Sequence, residues 1–208
     1  MKQNMRKRSP LAVLLALCLA MQLCVPAAMA SNRLMRAGDA AIAQIEEEEG
    51  FRAEKYSSGG KWYIGYGTEC GAEDYPEGIT REEAELLLMS KVEAYEAKLN
   101  DFFDRYDVTP TQGQFDALIC FSYNFGTGWM SGTSDLVKIA RGEKDATRLE
   151  VAHAFGEWCH SGGQAQAGLA DRRLQEAAIY LDDSTRASEN EFAYLIINME
   201  SGTSYETD

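Results

Sequence analysis

The residue with the clearest chemical potential is Glu49, the last of four consecutive carboxylates, Glu46 to Glu49, ahead of Gly50 and a glycine-punctuated stretch from Phe51 to Thr68. A carboxyl group on the rim of a hairpin can act as a general acid, giving its proton to the leaving oxygen of a glycosidic bond. Four carboxylates at a helix C-terminus oppose the helix dipole and repel one another. Each poorly placed charge costs from a few tenths to about 1 kcal/mol. A working site tolerates that cost. Glu46 to Glu48 read as a solvated acidic face, which leaves Glu49 as the candidate proton donor.

The elements that must position Glu49 follow from periodicity. Leu34, Ala41, Ile42 and Ile45 recur at helical spacing, predicting a helix over 34–49 that Gly50 ends. Lys61-Trp62-Tyr63-Ile64-Gly65-Tyr66-Gly67, entered through Gly59-Gly60, reads as a strand in a small hairpin or three-stranded sheet. Gly65 and Gly67 flank Tyr66, which predicts a bulge or the close approach of a bulky group such as a sugar ring. Thr80 with Glu83 forms a capping-box pattern that opens a long helix running to about Phe103. Thr109-Pro110-Thr111-Gln112 opens another, apolar nearly all round from Phe115 to Phe125, the expected core helix. Shorter helices are predicted over 134–141 and 146–158, a loop over 160–163, and a last amphipathic helix over 169–180.

The totals bound the function. Lys2, Arg6, Lys7 and Arg8 precede an uncharged run from Leu11 to Val25, and Ala28-Met29-Ala30 follows, the pattern of a cleavable signal peptide over 1–30. The expected product is a secreted or cell-wall protein with no stable membrane association after cleavage; an uncleaved anchor is the minority alternative. Taking those four basic residues from the 20 leaves 16 against 33 acids, a formal −17. That balance argues against nucleic acid as a partner, since its phosphates call for Lys and Arg. It equally removes charge as the means of holding anionic wall polymers, so a wall substrate must be gripped by specific cleft contacts. Beyond the leader, Cys70, Cys120 and Cys159 remain, an odd number. Cys120 reads as a core residue, and Cys70 with Cys159 as a candidate bridge. His153 and His160, the only histidines, lack ligand spacing; no metal or cofactor is expected. Residues 184–208 read as an acidic, poorly ordered tail, and residues 31–183 as the folded domain, expected to be monomeric.

Taken together, Glu49-Gly50-Phe51-Arg52, Tyr56, Ile64-Gly65-Tyr66-Gly67, Thr109-Pro110-Thr111-Gln112, Phe121-Ser122-Tyr123-Asn124-Phe125-Gly126 and Gly168-Leu169 with Arg172-Arg173 and Glu176 resemble the phage-type (T4-like) lysozymes of glycoside hydrolase family 24. The resemblance spans roughly residues 34–181. It implies an α+β, mostly helical fold, in which a small sheet lobe and a helical lobe are joined by a long helix. It also implies a partner, the peptidoglycan glycan strand, cleaved between N-acetylmuramic acid and N-acetylglucosamine.

The family pattern is Glu, eight residues, Asp or Cys, five residues, Thr. The Glu is matched by Glu49. Ser58 stands where the Asp is expected, and Tyr63 takes the place of the Thr when Ile64-Gly65 sets the register and the turn is one residue shorter. These three are the catalytic candidates. Ser58 cannot be a base near pH 7, so the implied enzyme is a muramidase with atypical catalytic residues. Glu54 or Glu69 could supply a second carboxylate. The substrate's own acetamido group or muramic 6-hydroxyl could replace it, the latter as in lytic transglycosylases, or the cleft could bind without turnover. Tyr66 and Asn124 are the candidate substrate contacts, while Arg172 and Arg173 are expected to pair with nearby carboxylates.

Overall fold

The computed structural model describes residues 34–182; the expected signal peptide and acidic tail lie outside them. Helix α1 (Asp39–Glu49) leads into a three-stranded antiparallel sheet, β1 (Arg52–Ser58), β2 (Lys61–Gly65) and β3 (Thr68–Cys70), in the order β1-β2-β3. The long helix α2 (Arg81–Arg105) then connects this sheet to the helices α3 (Gln112–Phe125), α4 (Asp135–Ala140), α5 (Arg148–Gly156) and α6 (Ala167–Tyr180). A single 3₁₀ turn, Gly128–Ser131, follows α3. The architecture is the expected one, mostly helical with a small sheet lobe.

Capping explains where the helices begin. Thr80 accepts from the Glu83 amide at 3.2 Å while Glu83 Oε2 accepts from the Thr80 amide at 2.8 Å. Thr111 with Gln114 and Thr147 with Glu150 repeat that reciprocal pattern. Each box satisfies two amides that a helix start leaves without partners. Replacing Thr80 by Ala is expected to lower the unfolding free energy by about 1 kcal/mol; urea titration of the two proteins checks this.

Helix α3 is the centre of the core, with Phe115 and the unbroken run Ala117 to Phe121 all buried. Phe121 meets Trp129, Phe155 and Trp158 edge to face, with centroids 5.6–5.8 Å apart. That arrangement suits the ring quadrupoles and fixes α3 against α5.

The structure departs from the sequence expectations in three places. Helix α1 starts at Asp39 rather than Leu34, because the preceding backbone is taken up by distant side chains. Met35 donates to Asn100 Oδ1, Ala37 to Glu96 Oε1 and Gly38 to Asp116 Oδ1, each at 2.8 Å. The expected loop at 160–163 is instead the turn of a two-residue hairpin, β4 (His160–Ser161) with β5 (Gln164–Ala165), closed across Gly162-Gly163. Finally, Cys70 and Cys159 are not bridged; all three cysteines of the described residues are free, with Cys120 and Cys159 buried. Among the described residues no helix is long and apolar enough to cross a membrane.

Candidate active site

Glu49 is the last residue of α1, and the end of the helix aims it at the start of the sheet. Its Oε1 accepts a hydrogen bond from Arg172 Nη1 of α6 at 2.8 Å, and its side chain keeps 20% exposure against 7% for Arg172. The other oxygen, Oε2, faces Gly67. A Cβ at position 67 would sit 3.1 Å from it, in a backbone with φ of +73° that only glycine adopts without strain. Gly65 shares the positive backbone φ, at +63°, and a Cβ there would in addition lie 3.0 Å from Ala84 Cβ of α2. Within the chain the close neighbours of these two glycines are thus a carboxylate and a helix, and Gly67 also lines the neighbouring cleft.

Behind Glu49 lies a buried charge cluster. Arg172 Nε is 3.5 Å from Glu176 Oε1, and Arg173 Nη2 is 2.8 Å from the same oxygen. Arg173 Nη2 also donates to Asn124 Oδ1 at 3.1 Å, and the guanidinium lies 4.6 Å from the centroid of the Phe121 ring. Two cations and two carboxylates balance. Burial pushes the Glu176 carboxyl up, while the guanidiniums of Arg173 and Arg172 pull it back toward the charged form. Breaking a buried ion cluster by removing one member typically costs about 3–5 kcal/mol. Glu176→Gln is expected to destabilise the fold by about 3 kcal/mol, read as a lowered urea midpoint with an unchanged slope.

A cleft of about 710 Å³ opens beside Glu49, with Gly67 on its wall. Strands β2 and β3 contribute Tyr63 and Glu69, α2 contributes Lys91 and Tyr95, and the end of α3 contributes Asn124 and Phe125. The charge on Glu49 reaches this wall: together with burial it raises the hydroxyls of Tyr95 and Tyr123, burial being the larger effect in both. A second cavity of about 500 Å³, near Val108 and Tyr180, holds none of the candidate residues.

The five residues singled out from the sequence separate here. Tyr63 and Asn124 line the cleft, whereas Glu49 is not among the lining residues and reaches its edge only through Gly67, which its Oε2 faces. Tyr63 sits on β2 opposite Tyr56, with the two ring centroids 5.7 Å apart. Ser58 is exposed at the end of β1, paired with Lys61, and is not among the residues lining the cleft. Tyr66 is a correction: it is 1% exposed, packs against Phe51, and its hydroxyl accepts from Arg81 at 2.7 Å. Its carbonyl accepts from the Tyr123 hydroxyl at 2.7 Å, so Tyr66 braces the cleft wall from inside and offers no ring face to a ligand. Of the two spare carboxylates, Glu69 lines the cleft, held 2.7 Å from Lys61 Nζ, whereas Glu54 lies exposed on β1 away from it. Trp129 is buried, donating to Ser122 Oγ at 3.1 Å, and serves packing. No cluster of His, Cys, Asp and Glu able to hold a metal occurs among the described residues.

Lys91 and Tyr95 line the cleft without having stood out in the sequence, and Phe125, read as the end of the core helix, lines it too. Leu87, Lys91 and Tyr95 fall four residues apart on α2, so a lysine standing in the partly buried stripe of an amphipathic helix was the available signal. Phe125 ends α3, 48% exposed, with its ring 4.6 Å from that of Trp158. Nothing local distinguishes it from a core aromatic.

A helix-end glutamate held by an arginine beside a cleft between a small sheet and a helical body defines a lysozyme-like protein. Comparison with known proteins places it more closely. The phage lysozyme family model matches residues 46–176, and the chain belongs to that family. It is 34% identical over 160 residues to the endolysin of Bacillus phage B103, a match covering 73% of this chain and 56% of that protein. The chain thus spans only a little over half the length of that relative. Among solved structures, an endolysin from Escherichia coli O157:H7 phage FAHEc1 superposes with a TM-score of 0.60 at 32% identity, covering 71% of this chain and 94% of the other. The muramidase domain of SpmX from Asticaccaulis excentricus gives 0.57 at 28% identity, covering 70% and 97%.

Proposed function

We propose that this protein binds peptidoglycan glycan strands in the Glu49 cleft and cleaves the β-1,4 bond between N-acetylmuramic acid and N-acetylglucosamine, slowly. Glu49 Oε2, the oxygen not engaged by Arg172, delivers the proton to the leaving oxygen. The observation that carries this is the geometry of Glu49 itself, one oxygen fixed by a buried guanidinium and the other turned to the cleft edge at Gly67. The rate is low because the second carboxylate of ordinary two-carboxylate hydrolysis is not supplied by Ser58. Glu69, the carboxylate on the cleft wall, is the candidate to activate water in its place.

A second reading has its own support. Tyr63 fills part of the cleft wall and Ser58 stands outside it, which favours binding with little or no turnover. The signal-peptide pattern over residues 1–30 supports secretion of the protein to the wall.

Incubating the purified protein with peptidoglycan and analysing soluble fragments by mass spectrometry separates the outcomes. Fragments with reducing muramic ends are expected. Ends carrying a 1,6-anhydro ring would instead assign attack by the muramic 6-hydroxyl. Sedimentation with the wall in the absence of any fragment would leave only the binding role.

A further inference from the structure

Lys91 is the anomaly of the cleft. It lies on α2, half-buried, with Nζ 3.4 Å from the Gly67 carbonyl oxygen and 3.8 Å from the centroid of the Tyr123 ring. The neighbouring charges are already matched: Glu49 is engaged by Arg172 at 2.8 Å and Glu69 by Lys61 at 2.7 Å. No carboxylate oxygen of the described residues comes within 4.0 Å of Lys91 Nζ. Burial and the Arg172 charge push its ammonium toward the neutral form, with Glu49 and Glu69 opposing from a distance. In a chain with 33 acids against 20 bases, a partly desolvated cation left without a carboxylate partner is conspicuous. An ammonium carries three donors, of which the Gly67 carbonyl takes one, and the Tyr123 ring face attracts the charge without filling the others.

We infer that Lys91 is a binding residue for a carboxylate borne by the glycan's muramic units. N-acetylmuramic acid differs from N-acetylglucosamine by its lactyl ether, whose carboxyl group is free in peptide-free glycan and amide-linked when a peptide is attached; the peptide then brings carboxylates of its own. Lys91, one residue layer from Glu49 across Gly67, meets that substituent and so discriminates muramic-containing glycan from a plain N-acetylglucosamine polymer. The inference rests on the glycan-cleft reading above and adds the group that the cleft selects.

Isothermal titration of the full chain with three probes of equal length tests it: a peptide-free N-acetylglucosamine–N-acetylmuramic acid tetrasaccharide, the same tetrasaccharide with its lactyl groups amidated, and chitotetraose. The wild-type protein is expected to bind the free carboxylate form about tenfold more tightly than the other two, the scale of one charge-assisted hydrogen bond. Lys91→Met should lose that preference while keeping affinity for chitotetraose, and Lys91→Arg should retain it. A fourth probe, the tetrasaccharide with its peptides attached, locates the source: tighter binding than the amidated form places the recognised carboxylate on the peptide. Equal affinity for all probes in the wild-type protein overturns the inference and leaves the glycan cleft standing. Absence of binding to every probe overturns both.

Discussion

Replacing Ser58 by Asp together with Tyr63 by Thr is expected to raise the rate of glycan cleavage by on the order of 10². The double change puts back the carboxylate and the threonine that the family pattern carries at these positions and removes the ring that Tyr63 places on the cleft wall. The gain is set at the lower end of what general-base assistance contributes because Ser58, at the exposed end of β1 before the two-residue Gly59-Gly60 turn, stands outside the cleft lining. Neither single substitution should suffice: Ser58→Asp alone meets a cleft still narrowed by Tyr63, and Tyr63→Thr alone supplies no base. Release of reducing ends from peptidoglycan, followed for the wild type, the two single variants and the double variant, reads the effect. Equal rates for wild type and double variant would show that a carboxylate at position 58 does not serve this cleft, with Glu69 the next residue to replace.

Glu49→Gln is expected to reduce cleavage by at least about 10², toward 10⁴, since the amide keeps the shape and can still accept from Arg172 but has no proton to give. Affinity for the glycan should change little, because the cleft wall is built by β2, β3, α2 and α3 rather than by Glu49. Stability is the informative control. The Glu49→Gln change leaves Arg172 with one formal charge fewer nearby, yet Glu176 stays 3.5 Å from Arg172 Nε, so the buried cluster keeps a carboxylate. The loss should be smaller than that expected for Glu176→Gln, since the Glu176 side chain is 1% exposed.

What could be read from the sequence was local. The capping box at Thr80 joins residues three apart and its helix starts where that pattern says, and the helix opened by Thr109-Pro110-Thr111-Gln112 starts within that stretch. The equally local box at Thr147 was not read, and its helix runs over Arg148–Gly156 rather than 146–158. The apolar run around Cys120 became the core helix for the same reason, since periodicity reports burial directly. What escaped depends on residues far apart. The extended segment Met35–Gly38 is held by Asn100, Glu96 and Asp116, between 59 and 78 residues away, against a helical pattern that continued through Leu34. The partner of Glu49 is 123 residues distant, and only its type, a carboxylate-pairing arginine, was legible. Tyr66 illustrates the opposite error. In the sequence it reads as a substrate contact beside two glycines that predict a bulge or the close approach of a bulky group; the groups that approach within the chain are Ala84 on one side and Glu49 on the other, and the Tyr66 ring is buried. Lys91 did not stand out in the sequence, because its meaning depends on which neighbouring carboxylates are already paired, and that is a property of the assembled cleft.

The most direct measurement is a time course of soluble fragments released from purified peptidoglycan by the wild-type protein and by Glu49→Gln, with wall binding of both recorded in parallel. Slow release by the wild type, release at least about 10²-fold slower by Glu49→Gln, and equal binding are predicted. Release by Glu49→Gln at the wild-type rate would contradict the assignment of Glu49 as the proton donor, and no release by either would contradict catalysis in this cleft.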